Sequence, residues 1–399
     1  MTKIVVLGGG FGGVSSALTL LNKKLNYKIE ITLIDQNNYH LFTPSLYEVA
    51  TAEETQSNIA IPFKEIFKDR IKIIKAKIGT IDTNTQTITL ADETKIQYDY
   101  LIIALGSQPS YFDIPGLEKY SLPLKNLKDA VKIKNSIDSI YRKKAAAGEK
   151  TRIIIGGGGF SGTELAAEIA KYRNYLSKIH NLPPGYIDIK IIQGSERLLK
   201  ELDLKVSDTA EKRLLHQRID LCVGAHIKNI TNEIIETDDG KKYDYDILLW
   251  TGGIEGNSLA KKSDLPTNKR GQIPVTQTLQ IANLDNVFAI GDIACFVDTK
   301  TNIQIPQVVQ VAEDQGKIAA ENIGRLINKI PLTGYQYKHF GYVVPLCGRY
   351  AAAELNWGIK VYGFFGWLIQ QIVFLRYLLG ILSISKAFKK WNKFEKDLN

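Results

Sequence analysis

The residues whose types and spacing can do chemistry begin almost at the N-terminus. Gly8, Gly10 and Gly13 form a G-x-G-x-x-G pattern directly after the apolar run Ile4–Leu7 and before a helical stretch, Val14–Leu21. Asp35 closes the next apolar run, Ile29–Ile34. Such glycines let the backbone approach a pyrophosphate at a helix N-terminus, where unpaired N–H groups and the helix dipole favour an anion. The acid after the second strand accepts hydrogen bonds from the ribose of a dinucleotide. Gly157, Gly159 and Gly162 repeat the pattern between Arg152–Ile155 and Thr163–Tyr172, but here the following strand, Ile187–Ile192, ends at Gln193. The sequence therefore predicts two dinucleotide sites, one with a carboxylate at the ribose position and one with an amide.

The elements that must position these residues repeat as well. Tyr98–Gly106 resembles Asp244–Gly252, and the interval from Gly106 to Gly252 nearly equals that from Gly13 to Gly162. Each copy carries hairpin material between its glycines and its closing strand. In the first, Ile71–Ile81 and Thr85–Leu90 flank Asp82-Thr83-Asn84; in the second, His226–Ile230 and Ile234–Thr237 lead into Asp238-Asp239-Gly240. Ser110–Leu127 reads as a crossover and Lys143–Lys150 as a surface connection. A strand at Val287–Ile290 ends in Gly291-Asp292, Gln307–Ile327 reads as a long helix, and Phe340–Leu355 as strand and turn. The expected architecture is α/β: two Rossmann-like dinucleotide-binding domains with a C-terminal helical module. Residues 1–115 and 266–335 make the first domain, 116–265 the second and 336–399 the module.

Composition narrows the class. At about 150 residues per domain, 399 residues hold two to three domains. The 44% hydrophobic and 23% charged content is that of a globular chain and excludes disordered, collagenous and disulfide-scaffold classes. The three cysteines, Cys222, Cys295 and Cys347, form no C-x-x-C, which argues against structural zinc and a local dithiol, and no metal site is expected. Met1-Thr2-Lys3 runs straight into a strand with no signal-peptide pattern. The net charge of +9 is uneven: Gly358–Asn399 holds seven Lys/Arg and two acids. A basic tail mixed with Phe, Trp and Leu points to an anionic membrane surface rather than to nucleic acid.

Two such sites in one chain pair a flavin with a nicotinamide, and the sequence resembles a family that does this: the two-dinucleotide-domain flavoproteins, and within them the type II NADH:quinone oxidoreductases. The resemblance covers nearly the whole chain. It is carried by Gly8–Gly13, Asn38–Pro44, Tyr98–Gly106, Gly157–Glu164, Leu249–Gly253, Ile290–Asp292 and Pro306–Gly316. It implies FAD on the first copy, with Gly8, Gly10, Phe11, Gly12, Gly13, Asp35, Gly106, Asp292 and Ala312 at the cofactor. Asp292 would bind the ribityl hydroxyls; its alternative is a helix cap. NADH or NADPH belongs on the second copy, with Gly157, Gly159, Phe160, Gly162, Glu164, Gln193, Gly252 and Gly253. The helix near Gln310 would turn its N-terminus to the flavin. The resemblance implies two glutamines beside a quinone; Gln310 fits, while Asp314 stands where the second is usual. Glu164 is implied to act near the quinone together with Gln310, its alternative being a first-turn acid that complements the helix dipole. Glu168, one turn on, is expected to face solvent.

The implied reaction passes hydride from NAD(P)H to FAD and two electrons to a membrane quinone, with no proton pumping. The alternatives are a sulfide:quinone oxidoreductase-like flavoenzyme, disfavoured because no cysteine partners Cys347 near Gly157–Glu168, and a flavin-bound redox sensor without turnover. Gln193 removes the charge that repels the 2′-phosphate of NADPH; Arg197 would reach that phosphate if the loop folds back, and Glu196 would restore an acid if it swings in. At the C-terminus, Phe364–Ser385 is apolar but interrupted by Gln370, Gln371 and Arg376. Lys386, Lys389, Lys390 and Lys393 share one helical face, and Ile384, Phe388 and Trp391 the opposite one. This predicts a peripheral, monotopic protein on a lipid bilayer surface, at the cytoplasmic face of a bacterial inner membrane, with docking on a partner subunit in a homodimer as the alternative or accompanying use.

Overall fold

In the computed structural model the described residues are 1–22, 28–181 and 185–396, with side chains described up to residue 392. The Lys393 side chain thus lies outside the described residues. The chain divides into two compact units: residues 1–41, 60–108 and 254–338 form the first, and 42–59, 109–253 and 339–399 the second.

Each unit is built on a five-stranded parallel sheet; four strands of each follow the same order, and the fifth, at one edge, comes last along the chain in the first unit and first in the second. In the first unit the order is Val287–Ala289, Tyr100–Ile103, Thr2–Leu7, Ile29–Asp35, Lys72–Lys75. In the second it is Ser121–Pro123, Ile247–Trp250, Thr151–Gly156, Ile187–Gln193, Ile219–Val223. The central strands are covered on both faces, so they read as unbroken apolar runs rather than alternating ones. Ile4, Val5, Val6 and Leu7 are all buried, as are Ile153, Ile154 and Ile155. Each glycine motif leads into a helix, Phe11–Asn22 in one copy and Phe160–Ile179 in the other.

The hairpin expected over Ile71–Ile81 is divided. Lys72–Lys75 joins the parallel sheet beside Ile29–Asp35, and only Ile78–Asp82 turns back on Thr87–Leu90. The apolar alternation continues through both strands, so periodicity alone could not mark the break at Ala76 and Lys77. Likewise the crossover after Ser110 contains an edge strand, Ser121–Pro123, which pairs with Ile247–Trp250. The short Pro-bounded segment suits an edge because proline cannot donate to a ladder on both sides.

The second unit also holds a three-stranded antiparallel sheet, Gly341–Pro345, Ala351–Leu355 and Lys360–Gly363, on which the helix Phe364–Ile381 packs. Three alanines, Ala351, Ala352 and Ala353, are fully buried there, and a Cβ on Gly366 would meet the carbonyl oxygen of Ala351 at 2.3 Å. Small residues on both sides allow this close approach of helix to sheet. A second helix, Ile384–Lys396, follows after a short break at Leu382 and Ser383.

The tightest contacts in both units are in the glycine turns. A Cβ on Gly13 would lie 1.8 Å from the Gly8 oxygen, and one on Gly162 would lie 1.9 Å from the Gly157 oxygen. Gly159, in contrast, faces nothing within 4 Å. Gly162→Ala should therefore lower the melting temperature clearly, with an overpacking cost of at least about 1–3 kcal/mol. Gly159→Ala should lower stability by no more than about 1 kcal/mol, the cost of losing a glycine at a helix N-cap. Equal melting temperatures for the two variants would contradict this account of the turn.

Candidate functional site

In the first unit the turn after the central strand is held from below. Asp35 Oδ2 accepts from the Gly9 N–H at 2.7 Å, and Oδ1 accepts from the Asn37 N–H at 2.7 Å. Burial raises the Asp35 carboxyl, and these two bonds pull it back. His40 Nδ1–H donates to the Gly9 oxygen at 3.0 Å, and the Phe11 ring stands edge-on to the imidazole. Full burial holds His40 down to about 4, so it is neutral at pH 7. Gly12 lies where two helices cross: its Cβ would be 3.2 Å from the Ala312 oxygen, and the Ser15 hydroxyl donates to the Glu313 oxygen at 2.7 Å. Gly10 and Gly106 face nothing within 4 Å, so the turn is closed below and open above.

The edge strand Val287–Ala289 delivers Asp292 to the same end of the sheet. The Ile290 N–H donates to the Ile103 oxygen at 3.0 Å, and the Ser107 hydroxyl donates to Asp292 Oδ2 at 2.6 Å. Asp292 sits in a short 3-10 turn, Gly291–Ile293, with no side-chain cap bond. Its own carbonyl accepts from Gln307 Nε2 at 2.7 Å and Gln272 Nε2 at 3.2 Å. Buried Gln315 accepts the Gly291 N–H at 2.7 Å. Sequence reasoning missed Ser107, Gln272, Gln307 and Gln315. The signal available for Gln315 was its helical phase, one turn after Val311 and one before Ala319. The helix Val309–Ile327 begins at Val308 without a side-chain cap, so its first N–H groups are not closed off by one. Gln310 stands in its first turn, half-buried, and Asp314 one turn on is paired with Lys317 at 3.0 Å. An open glycine turn, two carboxylates and an uncapped helix start suit the pyrophosphate and hydroxyl groups of FAD.

The second unit repeats the turn with one chemical change. Gln193 Oε1 accepts from the Gly158 N–H at 2.7 Å, the counterpart of the Asp35–Gly9 bond. Its Nε2 donates to Ser195 Oγ, and Ser195 donates to the Arg197 oxygen at 3.0 Å. The helix Phe160–Ile179 starts at Gly159 without a side-chain cap, and the Phe160 ring lies 5.2 Å from that of Tyr342. Thr251 donates to the Gly156 and Gly157 oxygens, Gly252 packs against Gly157, and Gly253 against Phe112. Two expectations for this loop need correction. Arg197 does not fold back toward Gln193; its Nη2 donates to the Lys200 and Leu202 oxygens at 2.7 and 2.8 Å. Glu196 has not swung in as a substitute acid; its carboxylate lies against Gly224.

Glu168 does not face solvent as expected but is buried, because its helix face is covered by the helix Leu46–Ala50 and by the turn at Cys347 and Gly348. Burial and the neighbouring Glu53 raise its carboxyl to about 7. Glu164, half-buried one turn earlier, is pushed well up, first by burial and then by Glu168. Glu48, buried on the facing helix, is also pushed well up by burial. None of the three cysteines is disulfide-bonded, and burial raises the Cys347 thiol to about 11, which keeps it protonated and a poor nucleophile at pH 7.

Asp292→Ala tests the expectation that this carboxylate binds flavin hydroxyls: loss of a charged acceptor should weaken flavin binding by roughly 1.5–3 kcal/mol. The purified variant should then lose bound flavin on gel filtration, read from its absorbance. A variant that keeps full flavin through gel filtration would remove Asp292 from the site.

Comparison with known proteins gives the family. The family model described as pyridine nucleotide-disulphide oxidoreductase matches residues 2–316. A demethylphylloquinone reductase of Synechocystis is 32% identical, covering 94% of this chain and 91% of its own. A type II NADH:quinone oxidoreductase of Staphylococcus saprophyticus is 25% identical over 97% of this chain and 98% of its own. Among solved structures, NDH2 of Plasmodium falciparum in complex with NADH has the same fold, with a TM-score of 0.86 at 20% identity, covering 100% of this chain and 97% of that one. The sulfide:quinone oxidoreductase of Aquifex aeolicus is similar in fold at 0.78 and 20% identity, covering 95% and 91%. With the doubled dinucleotide turn and a family model spanning most of its length, the chain belongs to the pyridine nucleotide-disulphide oxidoreductase family.

Proposed function

We propose that the chain is an FAD-dependent NAD(P)H:quinone oxidoreductase of the type II, non-pumping kind. The observation that carries this reading is one nucleotide-binding turn built twice, with Asp35 on Gly9 and Gln193 on Gly158, in a chain whose full-length relatives are named quinone reductases. FAD, held by Gly8–Gly13, Asp35, Gly106, Asp292 and Ala312, supplies a two-electron relay between nicotinamide and quinone. The residues of the chain do the rest. The uncapped helix start at Val309 lends partial positive charge to an electron-rich ligand. In the first unit Gln310 is assigned as a quinone ligand, with Asp314 beside it and its charge held by Lys317; in the second, Glu164 is assigned as the proton donor. The sulfide:quinone alternative has no support from the cysteines, since Cys347 is a protonated thiol and no cysteine lies in Gly157–Glu168. Anaerobic mixing with NADH, then NADPH, should bleach the flavin, and a quinone should restore its colour. A flavin that is bleached but never re-oxidised by any quinone would leave only a redox-sensor role.

The second turn sets the nicotinamide preference. Gln193 presents an N–H where an acid would present a negative charge, so acceptance of NADPH alongside NADH follows from the missing repulsion alone. Arg197, tied to two carbonyls, adds no attraction. Gln193→Glu should depress kcat/KM for NADPH ten- to a hundredfold, about 1.4–2.8 kcal/mol, and change that for NADH little. An unchanged ratio would mean that the side chain does not face the 2′ position.

The C-terminal helices are the reading's membrane contact. Phe364–Ile381 is the one helix among the described residues long and apolar enough to cross a bilayer. Its inner face carries Trp367, Gln371, Phe374, Tyr377 and Leu378, whereas Phe365, Leu368, Ile372 and Val373 point outward with Arg376. On the following helix Ile384 and Phe388 are exposed, as are Lys386 and Lys389. A helix buried on one side and apolar on the other suits the surface of a bilayer, monotopic, at the cytoplasmic face of a bacterial membrane. Homodimerisation would use part of the same face. Deleting the segment would strip Trp367 and Phe374 from the core, so point charges are the cleaner test. Phe365→Asp, Ile372→Asp and Phe388→Asp together should move the protein from the membrane pellet to the supernatant. High salt alone should only loosen the wild type, since each surface lysine contributes about 1 kcal/mol. Sedimentation of the triple variant with membranes would overturn the assignment.

A further inference from the structure

The second unit holds a row of carboxyl groups that neither dinucleotide turn uses. Glu164, Glu168 and Lys171 stand at i, i+4 and i+7 on the helix Phe160–Ile179 and so share one face. The facing segment supplies Tyr47 and Glu48 from the helix Leu46–Ala50, then Glu53 and Glu54 from the turn after it. At the outer end, Lys171 Nζ meets Glu53 Oε2 at 2.5 Å, and both side chains retain some exposure. Inward lies Glu168, 6% exposed, with Oε2 making no hydrogen bond and the Gly348 N–H donating to the carboxylate. Beside it is Glu48, also 6% exposed, whose Oε2 is likewise without a partner while Oε1 accepts from Tyr47 at 3.5 Å. Gln370 Nε2 in turn donates to the Tyr47 oxygen at 3.3 Å. The row ends at Glu164.

A cluster kept only for stability would be fully hydrogen-bonded, because each orphaned buried oxygen costs about 1–3 kcal/mol. Here two buried carboxyl groups each keep an orphaned oxygen. Glu48 and Glu164 each feel the charge of Glu168, so ionising all three together is disfavoured. Among the described residues the charged or titratable groups around Glu168 are Glu53 and Lys171 at the surface, Tyr47, Glu48 and Glu54 on the facing segment, and Cys347 in the adjacent turn, on which Arg213 acts in turn.

We propose that Glu168 relays protons from the surface pair Lys171–Glu53 to Glu164, with Glu48 as a side branch of the same relay. This rests on the quinone reductase reading. The overall reaction, NADH + H⁺ + quinone → NAD⁺ + quinol, draws one proton from solvent per turnover. Glu164 gives its proton to a quinone oxygen and becomes a carboxylate. Glu168 returns a proton to Glu164 and is itself recharged from water at Lys171–Glu53. No oxidant or reductant beyond the nicotinamide and the quinone is needed. The ordering of Glu168 near neutrality, with burial and Glu53 raising it and Lys171 opposing, keeps both of its states accessible at working pH.

The test uses the full-length flavin-loaded enzyme with Glu168→Gln and Glu168→Asp. In the resting oxidised enzyme, infrared titration should find a protonated-carboxyl band in the wild type that disappears near pH 7 and is missing in Glu168→Gln. Under anaerobic stopped flow, re-oxidation of the reduced flavin by quinone should slow at least tenfold in Glu168→Gln, with a larger solvent isotope effect. Bleaching by NADH, which takes no proton from this row, should slow far less. Glu168→Asp should regain part of the re-oxidation rate. Re-oxidation at the wild-type rate in Glu168→Gln, or no carboxyl titrating between pH 6 and 8 in the wild type, would overturn the relay. A wild-type flavin that no quinone re-oxidises would instead overturn the quinone reductase reading, and the infrared titration would still judge Glu168.

Discussion

Everything in each unit depends on how closely a helix can start from the end of a central strand. The backbone oxygen of Gly8 or Gly157 occupies the space a side chain would need at Gly13 or Gly162. Because that space is filled by backbone, the helix N-terminus is held against the sheet and its unpaired N–H groups are presented at one point. The middle glycines, Gly10 and Gly159, have no such neighbour. Their lack of a side chain has no use within the protein, and it leaves room for a ligand. Four strands of each sheet share an order because this constraint places the closing strand and the second strand on fixed sides of the first; the remaining edge is filled by a later segment in one unit and an earlier one in the other.

A carboxylate in one copy and a carboxamide, on a side chain one methylene longer, in the other separate the chemistry of the two copies. Asp35 and Gln193 make the same bond to the turn, at the same distance, so the backbone geometry does not register the difference. The second terminal atom does. In Asp35 it is an oxygen that accepts from Asn37; in Gln193 it is a nitrogen that donates to Ser195. The fold is thus indifferent to the change while the charge facing a ribose is not. That is how a specificity difference can arise without a cost in stability.

The segment 42–59 and the C-terminal sixty residues extend the second unit beyond a plain dinucleotide-binding fold. They cover one face of the helix Phe160–Ile179 and turn what would be a solvated acidic face into a buried one. The same segments leave Phe365, Ile372 and Phe388 exposed. A single addition to the fold thereby produces both a low-dielectric cluster of carboxyl groups and an exposed hydrophobic surface. The first depends on what lies over Glu168, and the second on what remains uncovered.

Local spacing was enough to locate the strand–glycine–helix units, their repetition and the acid-to-amide change at Gln193, because these are set within a few residues by sterics and hydrogen bonding. It was also enough to separate this chain from dithiol enzymes of its own family, since cysteine spacing is a property of the sequence. Where a helix face points was not legible. Glu168 is polar in a helix of mixed pattern, and only the packing of distant residues 46–50 and 346–350 decides that it is buried. The same holds for Arg197, whose partners are carbonyls of a local loop that the sequence pattern does not describe, and for Ser107, Gln272 and Gln315, which converge on Gly291-Asp292 from three separate stretches. The division of Ile71–Ile81 into two strands in different sheets was likewise decided by which neighbour each half pairs with. Spacing determines what a short segment can do by itself; burial, and with it the protonation of a carboxyl, depends on contacts between segments far apart in the chain, and those exist only once the chain has folded.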